Sequence, residues 1–215
     1  MFSTSLLFDV LTQYVERSMK IFKDLLMSIL LSLMDLGMDQ VKAAVVQPRV
    51  RPWVEGFIGT NYNISDDEFS DYEANDPFVH EFIANLDALL MSFKNSLTPG
   101  NYDILVVMLT GEVTTQLEKA VMKKTFNRLG GLRLDKEIRA LVAYLSSMCT
   151  WGVREKFSRL TQISTLLNME RLTEVSEFWT SRPDSVVRLM SPSQVKLVLE
   201  LRDEFKPEEV RKLVL

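Results

Sequence analysis

One cysteine, one histidine, seven prolines and eight glycines are all that this chain of 215 residues holds of those types. Cys149 stands alone, so it forms no intrachain disulfide, which agrees with a cytosolic setting. One histidine, His80, is too few for a histidine-based metal site. Scarce glycine and proline leave few points at which a helix must stop. Long apolar runs are missing too. The longest uncharged one is LLMSILLSLM, at 25–34, fenced by Asp24 and Asp35. Such a run is well short of the roughly 20 residues that cross a bilayer core as a helix. The opening MFSTSLLFDVL lacks the basic n-region of a secretory signal. Any meeting with a membrane is therefore expected to be peripheral. A basic face is absent as well. The net charge is −4 and the pI is near 5.2. No Lys/Arg cluster is dense enough for nucleic acid. The closest, Lys123, Lys124 and Arg128, reads as the cationic last turn of a helix.

What is present favours helix. Hydrophobic residues are 47% and charged residues 25%, an ordinary globular balance. Leu, Met, Lys and Glu are plentiful, and all are good helix formers. The length suits one large or two small domains. The expected fold is all-α: an elongated antiparallel bundle or rod of stacked helices.

Apolar residues recur at steps of three and four from Leu7 to Leu33, which predicts one helix over 5–36 with Gly37 as its C-cap. A shorter helix follows at 39–46. The region 47–76 is the least regular. Pro48 and Pro52 flank an extended piece ending at Trp53, and the carboxylate-rich stretch at 60–76 reads as a surface loop. Asp76-Pro77 and Thr98-Pro99 each place an N-cap before a proline at the first helical position. The helices they start are expected over 77–97 and up to 128. Gly111 lies inside the second, which is tolerable if a neighbouring helix crosses closely there. Gly130-Gly131 reads as a helix C-cap and hinge. It divides an N-terminal bundle segment, 1–129, from a C-terminal helical subdomain, 130–215. From Asp135 an apolar seam keeps its phase to Leu167, which predicts one long helix bent at Gly152. Asn168 then caps 170–179. After the loop SRPDS, Ser191-Pro192-Ser193-Gln194 is a capping box opening a helix over 195–204, and a last helix covers 208–214.

No set of residues is arranged for catalysis. Cys149 and His80 are the one conceivable thiol–imidazole pair, and Cys149 lies on the apolar seam as a small hydrophobe. Asp66, Asp67, Glu68, Asp71, Glu73 and Asp76 fail the spacing of a calcium loop, because its sixth position is Asp71 instead of glycine and its twelfth is Pro77. A solvated acidic surface or a site for a basic partner remains. The Gly-Gly pair matches no phosphate-loop pattern. No cofactor is expected. The eleven methionines fall on continuous stripes and read as core. Arg139 and Arg171 read as ordinary surface cations. Arg159 is singled out, because it neighbours Leu160 on the long helix where the C-terminal helices fold back. Glu155 can pair with it locally, and Gln194 or Glu200 can reach it from the last helices, making it a clamp between subdomains.

Several stretches are more specific than generic helix. They are QPRVRPWVEGF, DYEANDPFV, TFNRLGGL, DKEIRALVAYL, REKFSRL, LLNMERL and EEVRKL. Through them the chain, from about residue 40 onward, resembles the C-terminal portion of the fourth-subunit family of the conserved oligomeric Golgi complex. Residues before 40 match poorly. Gln194, where the family tends to carry an acid, and the loop 180–190 depart from the pattern. The resemblance implies a non-catalytic helical-rod subunit on the cytosolic face of Golgi membranes. It implies a role in tethering recycling vesicles, and so in keeping glycosylation enzymes in place. Its implied partners are the other subunits of that complex, with Golgi SNAREs and their regulators. A generic cytosolic helical adaptor is the competing reading.

Overall fold

The computed structural model describes residues 3–75, 77–180 and 189–215. The fold is all-α. The helices are α1 Ser3–Val41, α2 Gln47–Gly59, α3 Asp66–Asn75, α4 Pro77–Lys94, α5 Pro99–Val121, α6 Arg128–Met148, α7 Val153–Leu167, α8 Leu172–Thr180, α9 Pro192–Leu199 and α10 Pro207–Lys212, with a π-helical turn at Lys42–Val46. The chain forms two compact units, Met1–Val45 and Val46–Leu215. Gly130-Gly131, where a division is expected from the sequence, lies inside the second of these units.

The first unit is essentially α1. It runs straight through Gly37, the expected cap. Its apolar stripe is exposed: Leu11, Phe22, Leu25, Ile29 and Leu33 are each about half in solvent. None of the helices, among the described residues, is long and apolar enough to cross a membrane.

The second unit is built around α5, whose Leu105, Val106, Leu109 and Val113 are wholly buried. Each fully buried aliphatic side chain of this kind stabilises the fold by about 1.5–3 kcal/mol. Helix α5 packs against α2 and α7, while α4 lies along α2, α5 and α6. Phe57 joins α2 to its neighbours, with ring centroids 4.9 Å from Tyr62 and 5.6 Å from Phe78. The α3 helix rests on α6, α9 on α7, and α10 on α9. The Thr98 and Ser191 caps form as expected: Thr98 accepts from the Asn101 amide, and Ser191 and Gln194 bond reciprocally. Asp76 and the SRPDS loop lie outside the described residues.

Several expectations change. The residues 47–59 are helical, not extended, because Pro48 falls in the first turn, where no N–H is needed. Pro52 is held within the same helix. The acidic stretch is mostly helix as well. Ser65-Asp66-Asp67-Glu68 is a capping box: Glu68 Oε2 accepts from the Ser65 amide at 2.7 Å, and the Glu68 amide donates to Ser65 Oγ at 3.3 Å. Asp66, Asp67 and Glu68 then complement the positive end of the α3 dipole. Lys124 is not in a helical last turn. Its ammonium donates to the carbonyls of Ile58 and Thr60, at the C-terminal end of α2. Gly111 needs no close crossing, since a Cβ there would meet only the Lys156 stem at 3.9 Å. The α9 helix stops at Leu199, and Asn168 ends α7 instead of starting α8.

The seam expected as one long helix is an antiparallel hairpin. Helices α6 and α7 are separated at residues 149–152, where Gly152 takes a left-handed φ of 83°. Four non-helical residues use about one turn's worth of sequence, so the three–four spacing carries across the break unaltered.

Candidate functional site

The TFNRLGG stretch is where four distant segments meet. Phe126 donates its amide to Leu201 at 2.8 Å and accepts from Asp203 at 3.0 Å, a two-bond bridge to the chain after α9. Asn127 caps α6, its side-chain oxygen accepting from the Gly130 amide at 2.9 Å. Its Nδ2 donates to the Ile64 carbonyl at 2.6 Å, and its own amide donates to the Tyr62 carbonyl at 3.2 Å. The amide of Arg128, one of the unpaired donors of the first turn, reaches Glu204 at 2.9 Å. Its guanidinium pairs with Glu170 at 2.6 Å.

Gly130 and Gly131 sit inside the first turn of α6, not at a hinge. A Cβ on Gly130 would lie 1.7 Å from the Tyr62 carbonyl oxygen. One on Gly131 would lie 2.7 Å from the Leu167 oxygen. Only backbone without side chains lets these segments approach so closely. Arg202, almost fully buried, holds the other end of the same crossing. Its Nη1 donates to the Leu167 and Met169 carbonyls at the end of α7, and its guanidinium pairs with Glu204.

Beside this crossing lies a buried polar cluster that the sequence reading missed. Glu137 is 1% exposed. It accepts from Tyr62 Oη at 2.6 Å and from Arg133 Nε at 3.0 Å. The Arg133 guanidinium also stacks over the Tyr72 ring, 4.3 Å from its centroid. Burial, and then the adjacent Glu137 carboxylate, push the Tyr62 phenol well above its ordinary range. A helix beginning at Asp135 would put Glu137 in its first turn as an ordinary exposed acid, whereas α6 begins at Arg128 and buries it. The Arg133/Glu137 spacing of four was the available signal.

Arg159 links three elements, through partners other than those expected. Its Nε donates to Glu118 of α5 at 2.7 Å, and its Nη1 donates to the Leu189 carbonyl, just before the α9 cap, at 2.9 Å. None of the expected partners takes it. Gln194 is spent on the Ser191 capping box. Glu200 faces Arg211 at 3.7 Å. The Glu155 side chain is exposed in the first turn of α7. The reason is directional: the Arg159 face of α7 looks toward α5, an element the sequence spacing could not rank.

Cys149 is partly exposed, at the bend between α6 and α7, where its Sγ donates to the Trp151 carbonyl at 3.2 Å. Burial pushes its thiol up, the reverse of what activates a nucleophile. His80 is exposed on α4. Among the described residues, no three His, Cys, Asp or Glu side chains stand together as a metal site would need. Asn127, Glu137 and Arg202 are each engaged in joining segments distant in sequence.

The family model for conserved oligomeric Golgi complex subunit 4, C-terminal, matches residues 3–197. The match therefore takes in α1, which the sequence resemblance had left out. Proteins titled conserved oligomeric Golgi complex subunit 4 are similar across kingdoms. The one from Homo sapiens is 44% identical over 181 residues, covering 84% of this chain and 23% of the human protein. The one from Drosophila melanogaster is 46% identical over 183 residues, covering 84% of this chain and 24% of that protein. The one from Arabidopsis thaliana is 36% identical over 183 residues, covering 85% and 25%. The chain thus spans about a quarter of the length of these relatives. With the family match running from the first turn of α1 into α9, the chain belongs to the family of the conserved oligomeric Golgi complex subunit 4 C-terminal region.

Proposed function

We propose that this chain is a non-catalytic part of a Golgi vesicle-tethering subunit, acting by protein–protein contact. The observation that carries the reading is 44% identity, over most of the chain, to proteins titled as subunit 4 of that complex. The structure supports it in one respect. Tyr62, Glu137, Arg133 and Arg202 are occupied in fastening helices to each other. The sister subunits are its direct partners. Golgi SNAREs and their regulators are reached through the assembled complex, on the cytosolic face of Golgi membranes. Loss of the chain would then disturb retrograde transport within the Golgi, and glycosylation with it.

The test is affinity capture from cytosol with the folded chain as bait, followed by mass spectrometry. Recovery of sister subunits of the complex, above a scrambled-surface control, is the expected result. Recovery of cytosolic proteins alone, with none of those subunits, would favour the generic adaptor and overturn the assignment.

A further inference from the structure

The apolar seam of α1 follows a heptad and nothing in the chain covers it. Val15, Met19, Phe22, Leu26, Ile29 and Leu33 succeed one another in alternating steps of four and three residues, and Leu36 continues them. These are the a and d positions of a coiled-coil repeat, kept without a slip for about three heptads. Each of these side chains is 43–60% exposed. No charged residue falls on the seam. A repeat of this kind is buried by a second helix that carries one like it.

The charges beside the seam say which helix. In the same repeat Glu16 and Lys23 both hold the e position, one heptad apart on one edge of the seam. Both are exposed, and among the described residues neither is in an ion pair. The other edge, position g, holds Leu11, Ser18, Leu25 and Ser32, with no charge. Parallel pairing of two copies sets e against g, so Glu16 would face Leu11 and Lys23 would face Ser18. Antiparallel pairing sets e against e. With Met19 against Phe22 of the second copy, and Leu26 against Val15 of the second copy, Glu16 of each chain faces Lys23 of the other. Sliding by one heptad either way would bring Lys23 against Lys23 or Glu16 against Glu16. The edge is thus self-complementary in one direction and one register. A lipid surface fits less well. From residue 11 to 41, α1 sets Arg17, Lys20 and Lys23 against Glu16, Asp24, Asp35 and Asp39, so it lacks the basic excess that holds an amphipathic helix to anionic headgroups.

We propose that α1 is a self-association element: two copies of the chain join through an antiparallel coiled coil of their α1 helices, with Glu16 of each meeting Lys23 of the other. The seam supplies the attraction, and the two charge pairs set direction and register. At the centre the Met19 thioether of each copy lies against the Phe22 ring of the other, a favourable contact for sulfur. The proposal rests on α1 alone, so its failure would leave the tethering assignment untouched.

Sedimentation equilibrium of the whole chain, up to about 100 μM, where an interface of micromolar Kd is filled, should show a dimer. Glu16→Lys and Lys23→Glu each put like charges together at both pairs, and each should weaken the dimer about tenfold. The double variant Glu16→Lys/Lys23→Glu exchanges the charges and should restore it. Mixing the two single variants should restore it as well, as a heterodimer. Leu26→Lys, which places a charge in the seam, should leave the chain monomeric. Direction is read by pulsed electron resonance on Asp35→Cys, spin-labelled in a Cys149→Ser background. In the antiparallel register the two labels stand about 29 residues apart along the pair, roughly 44 Å, whereas parallel helices would hold them within about two helix diameters, roughly 20–25 Å. A parent chain that stays monomeric would overturn the proposal, and its binding to phosphatidylcholine vesicles would then name lipid as what covers the seam. A trimer or tetramer, the short label distance, or a dimer indifferent to the charge exchanges would overturn it too.

Discussion

Gly130 leaves no room for a Cβ beside the carbonyl of Tyr62, whose oxygen such an atom would meet at 1.7 Å. Because the obstacle is backbone, no rotamer change relieves it. Gly130→Ala should cost at least the roughly 1–3 kcal/mol typical of overpacking. Gly131→Ala should cost less, since its Cβ would meet the Leu167 oxygen at 2.7 Å. Gly111→Ala, whose Cβ inside α5 would make only an ordinary contact with the Lys156 stem at 3.9 Å, should stabilise by roughly 0.5–1 kcal/mol. Urea denaturation of the three variants gives the order. A neutral Gly130→Ala would mean the crossing is not as tight as it stands.

The Tyr62–Glu137 bond predicts loss of stability in alkali. Tyr62, Tyr102 and Tyr144 are all raised, each chiefly by burial. In the unfolded chain they ionise near pH 10. Folded, they keep their protons longer, so their contribution is complete below about pH 10 and falls as pH rises above it. Absorbance at 295 nm should show these tyrosines ionising together with the loss of helical circular dichroism. Ionisation of all the tyrosines near pH 10 with helicity intact would refute it. Tyr62→Phe removes one donor from a buried carboxylate and should cost about 1–3 kcal/mol.

Caps explain which features could be read from sequence. Thr98-Pro99 and Ser191-Pro192-Ser193-Gln194 were legible because donor and acceptor lie within three residues. Ser65-Asp66-Asp67-Glu68 carried the same signature, but the surrounding carboxylates looked like a loop. Arg159 was found through its place beside the seam, and its partners were not, because Glu118 is on another helix and the Leu189 carbonyl leaves no mark in sequence. Arg202 and the two glycines answer to backbone carbonyls of remote segments, which no spacing encodes. The α1 stripe predicted a buried face, since periodicity reports an apolar side but not whether anything covers it.

The Ser65 capping box makes α3 sensitive to acid. Hydrogen bonds from the Ser65 amide, then from its hydroxyl, hold the Glu68 carboxyl below its usual range. Its stabilisation of α3 is present above the ordinary glutamate range and is lost as pH falls through the lowered value. Ser65→Ala removes one of the two donors. In that variant the Glu68 carboxyl should titrate at higher pH by NMR, and α3 amides should exchange faster. An unchanged Glu68 titration would show that the box does not persist in solution.

Arg159 joins α5 and the entry to α9 through two bonds on one guanidinium, and the two can be separated. The Glu118 pair is part-exposed on both sides, so alone it is worth about 0.2–1 kcal/mol. Glu118→Gln would weaken that bond and leave the one to the Leu189 carbonyl in place. Arg159→Ala would remove both. If the cation holds α9 in position, amides of Pro192–Leu199 should lose more protection in Arg159→Ala than in Glu118→Gln. Arg159→Trp adds overpacking of roughly 1–3 kcal/mol where α5, α7 and the α9 entry converge, so its effect should be the largest of the three. Helix α4, which makes no bond to Arg159, serves as the reference and should exchange alike in all. Equal protection of α9 in the parent and all three variants would reduce Arg159 to a surface charge. Loss graded from Glu118→Gln through Arg159→Ala to Arg159→Trp, confined to α9 and its entry, would show one cation fixing the position of the last helices.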